Sequence, residues 1–303
     1  MTLPIPQAPR ASNSRGVLAM SAGMASFVAN DAIVKTVSES LPSGQLICLR
    51  GVFATVLLLA VLAPMGLLRD LRLLWNRRVV LRAFLDACAT LTYLTSLFHL
   101  PIGNATAINM ATPLFITLFA VIAFKEKVGG ARWLAIATGF TGVLLVVQPS
   151  GTAFNAYALL CLGGTLLHAS RDLITRTIDR RIPSLLVTFS TAIAVTLLSG
   201  LWSLQQEWRP PTGRDLALLA TASVFLSIGY FLLTIAMRAG EMSVIAPFRY
   251  AGLLFALLIG FIVWGDVPNT LAWAGIALLV GAGLYVLHSE RSRARAELEP
   301  IPD

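Results

Sequence analysis

The sequence predicts an all-α, polytopic membrane protein with ten transmembrane helices, arranged as an inverted five-plus-five repeat. Three observations lead to this prediction. First, the mean hydropathy of the 303 residues is +0.77, with 56% hydrophobic and only 13% charged residues, whereas a soluble domain carries about 25% charged residues. Second, apolar stretches long enough to cross a bilayer follow one another along the chain. Third, two distant stretches repeat one pattern of residues.

Ten spans follow from the apolar stretches, and the short connections between them favour antiparallel neighbours in a compact bundle. The polar, Pro-rich N-terminus lacks the pattern of a cleavable signal. The remaining residues are too few for a sizeable soluble domain. The predicted spans are residues 16–37, 44–64, 79–99, 103–124, 131–148, 153–174, 184–204, 216–236, 242–264 and 271–288.

The positive charges predict the orientation of these spans. With the N-terminus inside, 18 of the 23 Lys and Arg residues, Arg171 among them, fall in inner segments, three fall outside, and Arg50 and Arg249 lie within spans. This asymmetry favours both termini in the cytoplasm of a bacterial-type inner membrane. The cations cluster beside hydrophobic ends, and no basic stripe alternates with exposed aromatics, so we do not expect nucleic-acid binding.

The repeat relates residues 23–42 to residues 164–183. The pair Asn30-Asp31 in the first stretch is answered by Arg171-Asp172 in the second, and a Pro-Ser pair follows at the same distance in both. Because each half has five spans, the second half enters the membrane from the opposite side. We therefore predict a first five-helix unit over residues 1–150 and a second, inverted unit over residues 151–303, ending in a short cytoplasmic tail.

Polar residues within six of the spans recur at steps of three and four, which places each set on one helical face. A charged residue at the bilayer centre costs about 2.5–3.5 kcal/mol, so these faces are expected to meet a cavity or a partner. An alternative is that Ser and Thr only bond to their own backbone. The symmetric pairing of the six spans favours a shared, hydrated cavity. The fifth and tenth spans carry glycines instead and are predicted to be scaffold helices: Gly139, Gly142, Gly281 and Gly283.

The charged residues within the spans require partners. We predict an Asp31–Arg50 ion pair, and a pair between Arg249 and either Asp86 or Asp172. Two interpretations fit these pairs. They hold the bundle together, or one of their members engages a zwitterionic substrate or a proton.

Two prolines interrupt corresponding spans of the two halves. Pro113 lies in the fourth span and Pro247 in the ninth, where each removes a backbone hydrogen bond and allows a kink. Interruptions at corresponding places are typical of the moving helices of transporters, so both prolines are candidate hinges. A static kink is the alternative.

The sequence gives no sign of an enzyme. It lacks the phosphate-binding loop of ATPases and the motifs of zinc proteases and elbow-type hydrolases. Its three cysteines, without CxxC spacing, fit small buried hydrophobic residues. We therefore expect no catalytic residues, no cofactor and no metal. The expected partners are a small-molecule substrate and the lipid bilayer, with no obligate protein partner.

The two halves resemble the drug/metabolite transporter superfamily of EamA type. The resemblance covers nearly the whole chain, and the second half departs from the usual Glu by using Asp266. The segment 246–250 (Ala-Pro-Phe-Arg-Tyr) resembles the branch that includes exporters of amino acids, particularly aromatic ones. The residues that carry the superfamily resemblance are Thr112-Pro113, Phe124-Lys125-Glu126, Trp133 and Gly139–Gly142 in the first half, and Gly265-Asp266, Trp273 and Gly281–Gly283 in the second.

The resemblance implies a bundle with a central substrate cavity that opens alternately to each side, and a carrier that exports amino acids, preferably aromatic or hydrophobic, or similar metabolites. Carriers of S-adenosylmethionine, of nucleotide-linked or of drug-like solutes are alternatives, as is a non-transporting scaffold. Aromatic candidates would pack against the substrate, unless they only pack the bundle, and polar ones would bind its amino and carboxylate groups; His168 is otherwise a satisfied interior histidine. The candidate substrate-binding residues are Phe27, Asn30, Tyr93, Asn109, His168, Tyr230, Phe248, Arg249 and Tyr250.

Overall fold

A computed structural model of the chain describes residues 10–124, 129–148, 155–175, 177–179, 181–239 and 242–296. Throughout this part the secondary structure is helical, with no strands. The predicted boundary between the halves at residue 150, together with Lys125, Glu126 and Lys127, lies outside the described residues. The helices are α1 (Arg10–Val37), α2 (Ser43–Leu62), a 3₁₀ segment (Leu67–Trp75), α3 (Arg77–His99), α4 (Ile102–Asn109), α5 (Thr112–Phe124), α6 (Gly130–Val147), α7 (Ala156–Thr175), α8 (Ser184–Ser203), α9 (Gly213–Ala239), α10 (Met242–Ile245), a 3₁₀ turn (Ala246–Tyr250), α11 (Ala251–Trp264) and α12 (Thr270–Ala296).

The helix contacts of the first half are related to those of the second half by an internal two-fold symmetry. Helix α1 packs against α9 in the way that its counterpart α7 packs against α3, and α2 contacts α9 as α8 contacts α3. Helix α2 packs on its own counterpart α8, and α6 packs on α12. The two halves are therefore interleaved rather than set side by side, and each buries the apolar faces of the other.

The repeated Pro-Ser pairs mark the start of equivalent helices. Pro42 and Pro183 are the N-cap residues of α2 and α8, with nearly identical backbone angles (φ −57° and −58°). Proline suits this place because its missing N–H falls among the first backbone donors of a helix, which have no partner within the helix. The repeat in the sequence thus encodes a repeated helix boundary.

Both candidate hinge prolines lie beside real interruptions, but neither lies inside a continuous helix. Helix α4 ends at Asn109 and α5 begins at Thr112, so Pro113 occupies the first turn of α5. Pro247 is the second residue of the 3₁₀ turn between α10 and α11. The expectation of mid-helix kinks is therefore corrected to two breaks at corresponding places. A proline in a first turn removes no backbone bond from the helix interior.

A close contact between α6 and α12 rests on glycine. A Cβ atom added at Gly142 would lie 2.6 Å from the carbonyl oxygen of Gly275, and one added at Gly139 would lie 3.1 Å from the Cβ of Ala282. Neighbouring helix backbones can touch here only because side chains are absent. Gly281 faces open space, whereas Gly283 makes room for the ring of Tyr250.

Seven stretches in the described part are long and apolar enough to cross a membrane, judged by length and composition, and residues 133–147 and 270–286 form two shorter apolar helices. Helix α7, which carries His168, Arg171 and Asp172, is not among the nine. Each of the ten predicted spans overlaps a helical segment, but the number of crossings stays a prediction. The chain is a polytopic all-α membrane protein built from two repeated halves.

Candidate functional site

The candidate site lies where two equivalent helix crossings meet. At the crossing of α1 with α9, a Cβ atom on Gly23 would lie 3.3 Å from the carbonyl oxygen of Gly229. At the crossing of α3 with α7, a Cβ atom on Gly164 would lie 3.1 Å from the backbone nitrogen of Tyr93. These close approaches bring the side chains of the adjacent turns into contact.

Each crossing carries one aromatic pair, and the two pairs are equivalent under the repeat. The rings of Phe27 and Tyr230 lie 5.1 Å apart at an interplanar angle of 78°, and those of Tyr93 and His168 lie 6.0 Å apart at 54°. Phe27 and His168 are separated by the same 141 positions as Asp31 and Asp172. The edge-to-face geometry of the first pair is a favourable arrangement for aromatic rings.

The Asp31 group consists of Asn30, Asp31, Arg50 and Tyr93, contributed by α1, α2 and α3. The Tyr93 hydroxyl donates to Asp31 Oδ2 (2.9 Å), and the Asn30 amide donates to Asp31 Oδ1 (2.8 Å). The Arg50 guanidinium donates to Asn30 Oδ1 (3.3 Å). Arg50 and Asn30 are buried, while Asp31 is partly exposed.

The predicted Asp31–Arg50 ion pair is corrected by this geometry. The two residues share one hydrogen-bonded network, but Asn30 stands between them and no direct ion pair forms. The amide acts as a bridge because its oxygen accepts from Arg50 while its NH₂ group donates to Asp31. Asp31 therefore keeps a carboxylate whose direct partners are neutral.

The Asp86 group consists of Arg82, Asp86, Arg171 and Asp172, contributed by α3 and α7. Arg171 lies 2.6 Å from Asp86 and 2.8 Å from Asp172, and Arg82 lies 3.3 Å from Asp86. Two cations thus balance two carboxylates. In a low-dielectric interior such a group is held together because removing one member leaves an uncompensated charge.

The predicted pairing of Arg249 with Asp86 or Asp172 is wrong. Both carboxylates are taken by Arg171, which lies on the same helix as Asp172 and faces Asp86 across the α3–α7 crossing. Arg249 lies in the 3₁₀ turn, is exposed, and makes no ion pair within the described part of the chain. Arg171 therefore belongs to a charge group between α3 and α7, not to a segment that connects helices.

A third contact links the site to the helix break in the first half. His168 Nδ1 donates to Asn109 Oδ1 (3.1 Å). Asn109 is the last residue of α4, and the Thr112 hydroxyl at the start of α5 donates to its carbonyl oxygen (2.6 Å). A change of angle between α4 and α5 would move Asn109 relative to His168.

Six of the nine predicted substrate-binding residues meet in this region, and three do not. Tyr250 is buried, fits against Gly283 of α12, and has a hydroxyl without a hydrogen-bond partner among the described residues. Phe248 is 40% exposed and, like Arg249, lies in the 3₁₀ turn. Phe27, Asn30, Tyr93, Asn109, His168 and Tyr230 form or border the contacts described above.

Arg171 and Lys35 are functional candidates that the sequence prediction did not place at the site. The repeat aligns Arg171 with Asn30, and this correspondence was the signal for an interior position. The Lys35 ammonium donates to the carbonyl oxygens of Leu97 (3.2 Å) and Leu100, and lies 5.3 Å from the centre of the Trp264 ring. It thereby ties α1 to the end of α3 and to α11 at the predicted outer end of the bundle.

A cavity with a volume of about 240 Å³ lies at the predicted outer end. Residues of both halves line it: Leu100, Pro101, Asn104, Ile108, Val146, Val147, Asn155, Ala158, Val267, Pro268 and Asn269. The side chains of Asp31, Asn109 and His168 are partly exposed, and the central hydrated cavity stays a prediction. Among the described residues, no group of three His, Cys, Asp or Glu side chains could hold a metal ion.

Comparison with known proteins places these features in a family context. The Riboflavin transporter of Rhizobium johnstonii is 31% identical over 243 residues, which cover 80% of this chain and 80% of that protein. The Riboflavin transporter of Vibrio cholerae is 29% identical, with 92% and 94% covered. The S-adenosylmethionine uptake transporter of Rickettsia felis is 25% identical, with 88% and 90% covered.

The fold and the repeat are matched as well. A solved crystal structure of a protein that is 20% identical superposes with a TM-score of 0.63 and covers 93% of this chain and 99% of its own. The sequence model of the EamA-like transporter family matches twice, over residues 14–148 and 155–287. With both halves matched, the chain belongs to the EamA-like transporter family of membrane transporters, within the drug/metabolite transporter superfamily.

Proposed function

We propose that this transporter carries riboflavin or a similarly flat, uncharged metabolite across a bacterial inner membrane. The observation that carries the proposal is the symmetric pair of aromatic contacts, Phe27–Tyr230 and Tyr93–His168. A planar ring system can stack or pack edge-on against such side chains. Three relatives that bear the name Riboflavin transporter support the same substrate class.

The charge balance of the interior favours an uncharged substrate. In the Asp86 group two arginines are already paired with two carboxylates, and Arg50 and Asp31 balance one another through Asn30. No net charge is left over among these residues to attract an ion. Riboflavin combines a neutral tricyclic ring with a chain of hydroxyl groups, and Asn109, His168 and Tyr230 offer hydrogen bonds to such groups.

Alternating access of this cargo would use the two helix breaks. Residues 110–111 and 246–250 interrupt corresponding helices of the inverted halves, and such breaks are typical of transporter binding regions. The proposal keeps Pro113 and Pro247 as candidate hinges at the ends of these breaks. It also keeps both termini in the cytoplasm, as the distribution of positive charge predicts.

Aromatic amino acids are a second candidate. The same two aromatic pairs can pack against an aromatic side chain, and Asn109 together with His168 offers both acceptors and donors for an ammonium and a carboxylate group. S-adenosylmethionine, named for the relative in Rickettsia felis, is a cation. The balanced interior charges described above make a cation the least favoured of the three.

Counterflow in proteoliposomes tests the proposal. Vesicles loaded with unlabelled riboflavin should take up external labelled riboflavin transiently, and loading with tryptophan or S-adenosylmethionine should not replace it. Tyr230→Ala should abolish or strongly slow this uptake. Phe231→Ala is the matched control, because Phe231 is the next residue of α9 and is 66% exposed. Uptake driven only by tryptophan would overturn riboflavin in favour of the amino-acid candidate.

A further inference from the structure

Asp31 differs from the other described carboxyl groups within the predicted spans because no cation pairs with it directly. Asp86 and Asp172 lie 2.6 Å and 2.8 Å from the Arg171 guanidinium. Asp31 instead accepts hydrogen bonds from the Tyr93 hydroxyl and the Asn30 amide. A carboxylate held by neutral donors can accept a proton without leaving a directly bound cation unpaired.

We propose that Asp31 binds and releases a proton during the transport cycle, which couples the movement of substrate to the movement of protons. The proposal rests on the transport function proposed above. It adds a second ligand, the proton, and assigns it to one carboxyl group in the first half of the molecule.

The surroundings of Asp31 contain few groups that compete for this role. Tyr93 of α3 faces it directly, Arg50 of α2 acts on it through Asn30, and the Cys161 thiol of α7 lies within electrostatic range. From α9, Tyr230 contacts Phe27, one turn earlier on α1. Helices α10 and α11 have no titratable residue, and the 3₁₀ turn between them contributes only the exposed Arg249 and the buried Tyr250. Lys35, one turn away on α1, is engaged by α3 carbonyl oxygens.

The hydrogen-bond network around Asp31 can serve both protonation states. With Asp31 ionised, the Tyr93 hydroxyl donates to it. When Asp31 takes a proton from water, its new O–H can donate to the Tyr93 oxygen, because a phenol both donates and accepts. The Tyr93 O–H can then turn to the buried Thr106 hydroxyl, which lies beside it.

The same tyrosine connects Asp31 to the proposed substrate site. The ring of Tyr93 packs on His168, and His168 binds Asn109 beside the helix break. A change in the hydrogen bonding of Tyr93 would therefore affect both Asp31 and the contact between His168 and Asn109. In the second half, Arg171 replaces Asn30 and pairs with Asp172, so the equivalent carboxyl group has a directly bound cation.

An infrared titration of the purified protein tests proton binding without any substrate. Acidification should produce a carboxylic-acid carbonyl band that Asp31→Asn removes. Asp172→Asn, the equivalent change in the second half, should keep this band, and Asp31→Glu should keep it at a shifted position. If the titrating bands of Asp31→Asn match those of the wild type, the proposal is wrong. Because riboflavin is absent, this result does not depend on the proposed cargo.

A transport experiment tests the coupling. A one-unit pH gradient across proteoliposomes, with the membrane potential clamped, should drive riboflavin accumulation on the order of tenfold for one proton. Asp31→Asn should lose this accumulation to a larger extent than it loses riboflavin counterflow without a gradient, and Asp31→Glu should restore part of the accumulation. If the wild type shows riboflavin counterflow but no accumulation under a pH gradient of either direction, proton coupling is refuted and riboflavin transport stands. Absence of any riboflavin counterflow would instead refute the cargo, and the infrared titration would still decide the role of Asp31.

Discussion

The hydroxyl groups of Thr55 and Thr196 are hydrogen-bonded to each other at 3.3 Å, and these two residues are 141 positions apart, which is the offset of the internal repeat. A residue can contact its own symmetry mate only near the symmetry axis. The axis of the molecule therefore passes between α2 and α8 at this pair, and the α6–α12 contact lies on it as well. Both places join the two halves.

Replacing Gly142 by alanine tests the glycine contact between α6 and α12. The new Cβ would lie 2.6 Å from the Gly275 carbonyl oxygen, which is backbone and cannot turn away. We expect a loss of about 1–3 kcal/mol in the free energy of unfolding, the usual cost of overpacking. Thermal unfolding in detergent measures it. Gly281→Ala is the control, since nothing lies within 4 Å of that position, and an equal loss in both variants would contradict the prediction.

Neutralising Arg171 tests the Asp86 group. Arg171→Gln leaves Asp86 with only Arg82 and leaves Asp172 without a cation. Breaking a buried ion pair costs about 3–5 kcal/mol, and the partial exposure of Arg171 and Asp172 places the expected loss at the lower end. Adding Asp172→Asn to Arg171→Gln should recover part of the stability, because it removes one of the stranded charges. A double variant less stable than Arg171→Gln would show that the two residues are not coupled in this way.

Removing the Lys35 ammonium tests whether this side chain holds α1, α3 and α11 together at the predicted outer end of the bundle. Lys35→Met keeps most of the side-chain length but loses the bonds to Leu97 and Leu100 and the contact with Trp264. Helix α3 then loses a cation that caps its C-terminal carbonyl groups, a favourable place for positive charge. In a cysteine-free background, a cysteine at Asn104 should react faster with a polar thiol reagent in the Lys35→Met variant. Glu39→Gln, on the neighbouring exposed loop, should leave the rate unchanged.

Asn109 provides a test of the substrate site that leaves the residues of the Asp31 group and the Asp86 group unchanged. Asn109→Ala removes the acceptor of the His168 hydrogen bond and one candidate partner for the substrate. A lost hydrogen bond of about 1 kcal/mol corresponds to roughly a fivefold rise in the riboflavin concentration for half-maximal counterflow. Thr141→Ala, at an exposed position of α6, is the control. Unchanged half-saturation for Asn109→Ala would remove this residue from the proposed site.

The orientation can be tested at two exposed positions on opposite sides of α2. Single cysteines at Glu39 and at Trp75, which is 85% exposed, lie in consecutive connections. With the cytoplasmic termini that the positive charges predict, an impermeant reagent added to intact cells should label only position 39. Labelling only at position 75 would reverse the predicted orientation.

The sequence was sufficient for much of the architecture because membrane helices follow simple rules. Apolar length located the helical segments, and the repeated Pro-Ser pairs coincided with the N-caps at Pro42 and Pro183. Small residues in the fifth and tenth spans marked the helices that touch backbone to backbone. The positions of Pro113 and Pro247 indicated the two breaks, although not that each proline opens a new helical turn.

The partners of the charged residues could not be read from the sequence. The predicted pairs relied on depth along the helix axis, but ion pairing also depends on which way a helix is rotated. Asp86 and Arg171 meet because Gly164 lets α3 and α7 approach closely, and Arg249 is turned away in an irregular segment. Asn30 and Arg171 occupy equivalent places, so a comparison of the two halves, position by position, would have indicated an interior Arg171.

That difference between Asn30 and Arg171 has a consequence for the energetics of the cycle. In a carrier made of two identical inverted halves, the inward-open and outward-open states would be related by the two-fold rotation and would have the same energy. Every inequality between those states must then come from positions where the halves have diverged. Here Asp31, the carboxyl group proposed to bind a proton, lies in the first half, whereas its counterpart Asp172 is in a salt bridge with Arg171. Asn30 and Arg171 are thus one place in this chain at which the two halves would make the inward-open and outward-open states unequal in energy.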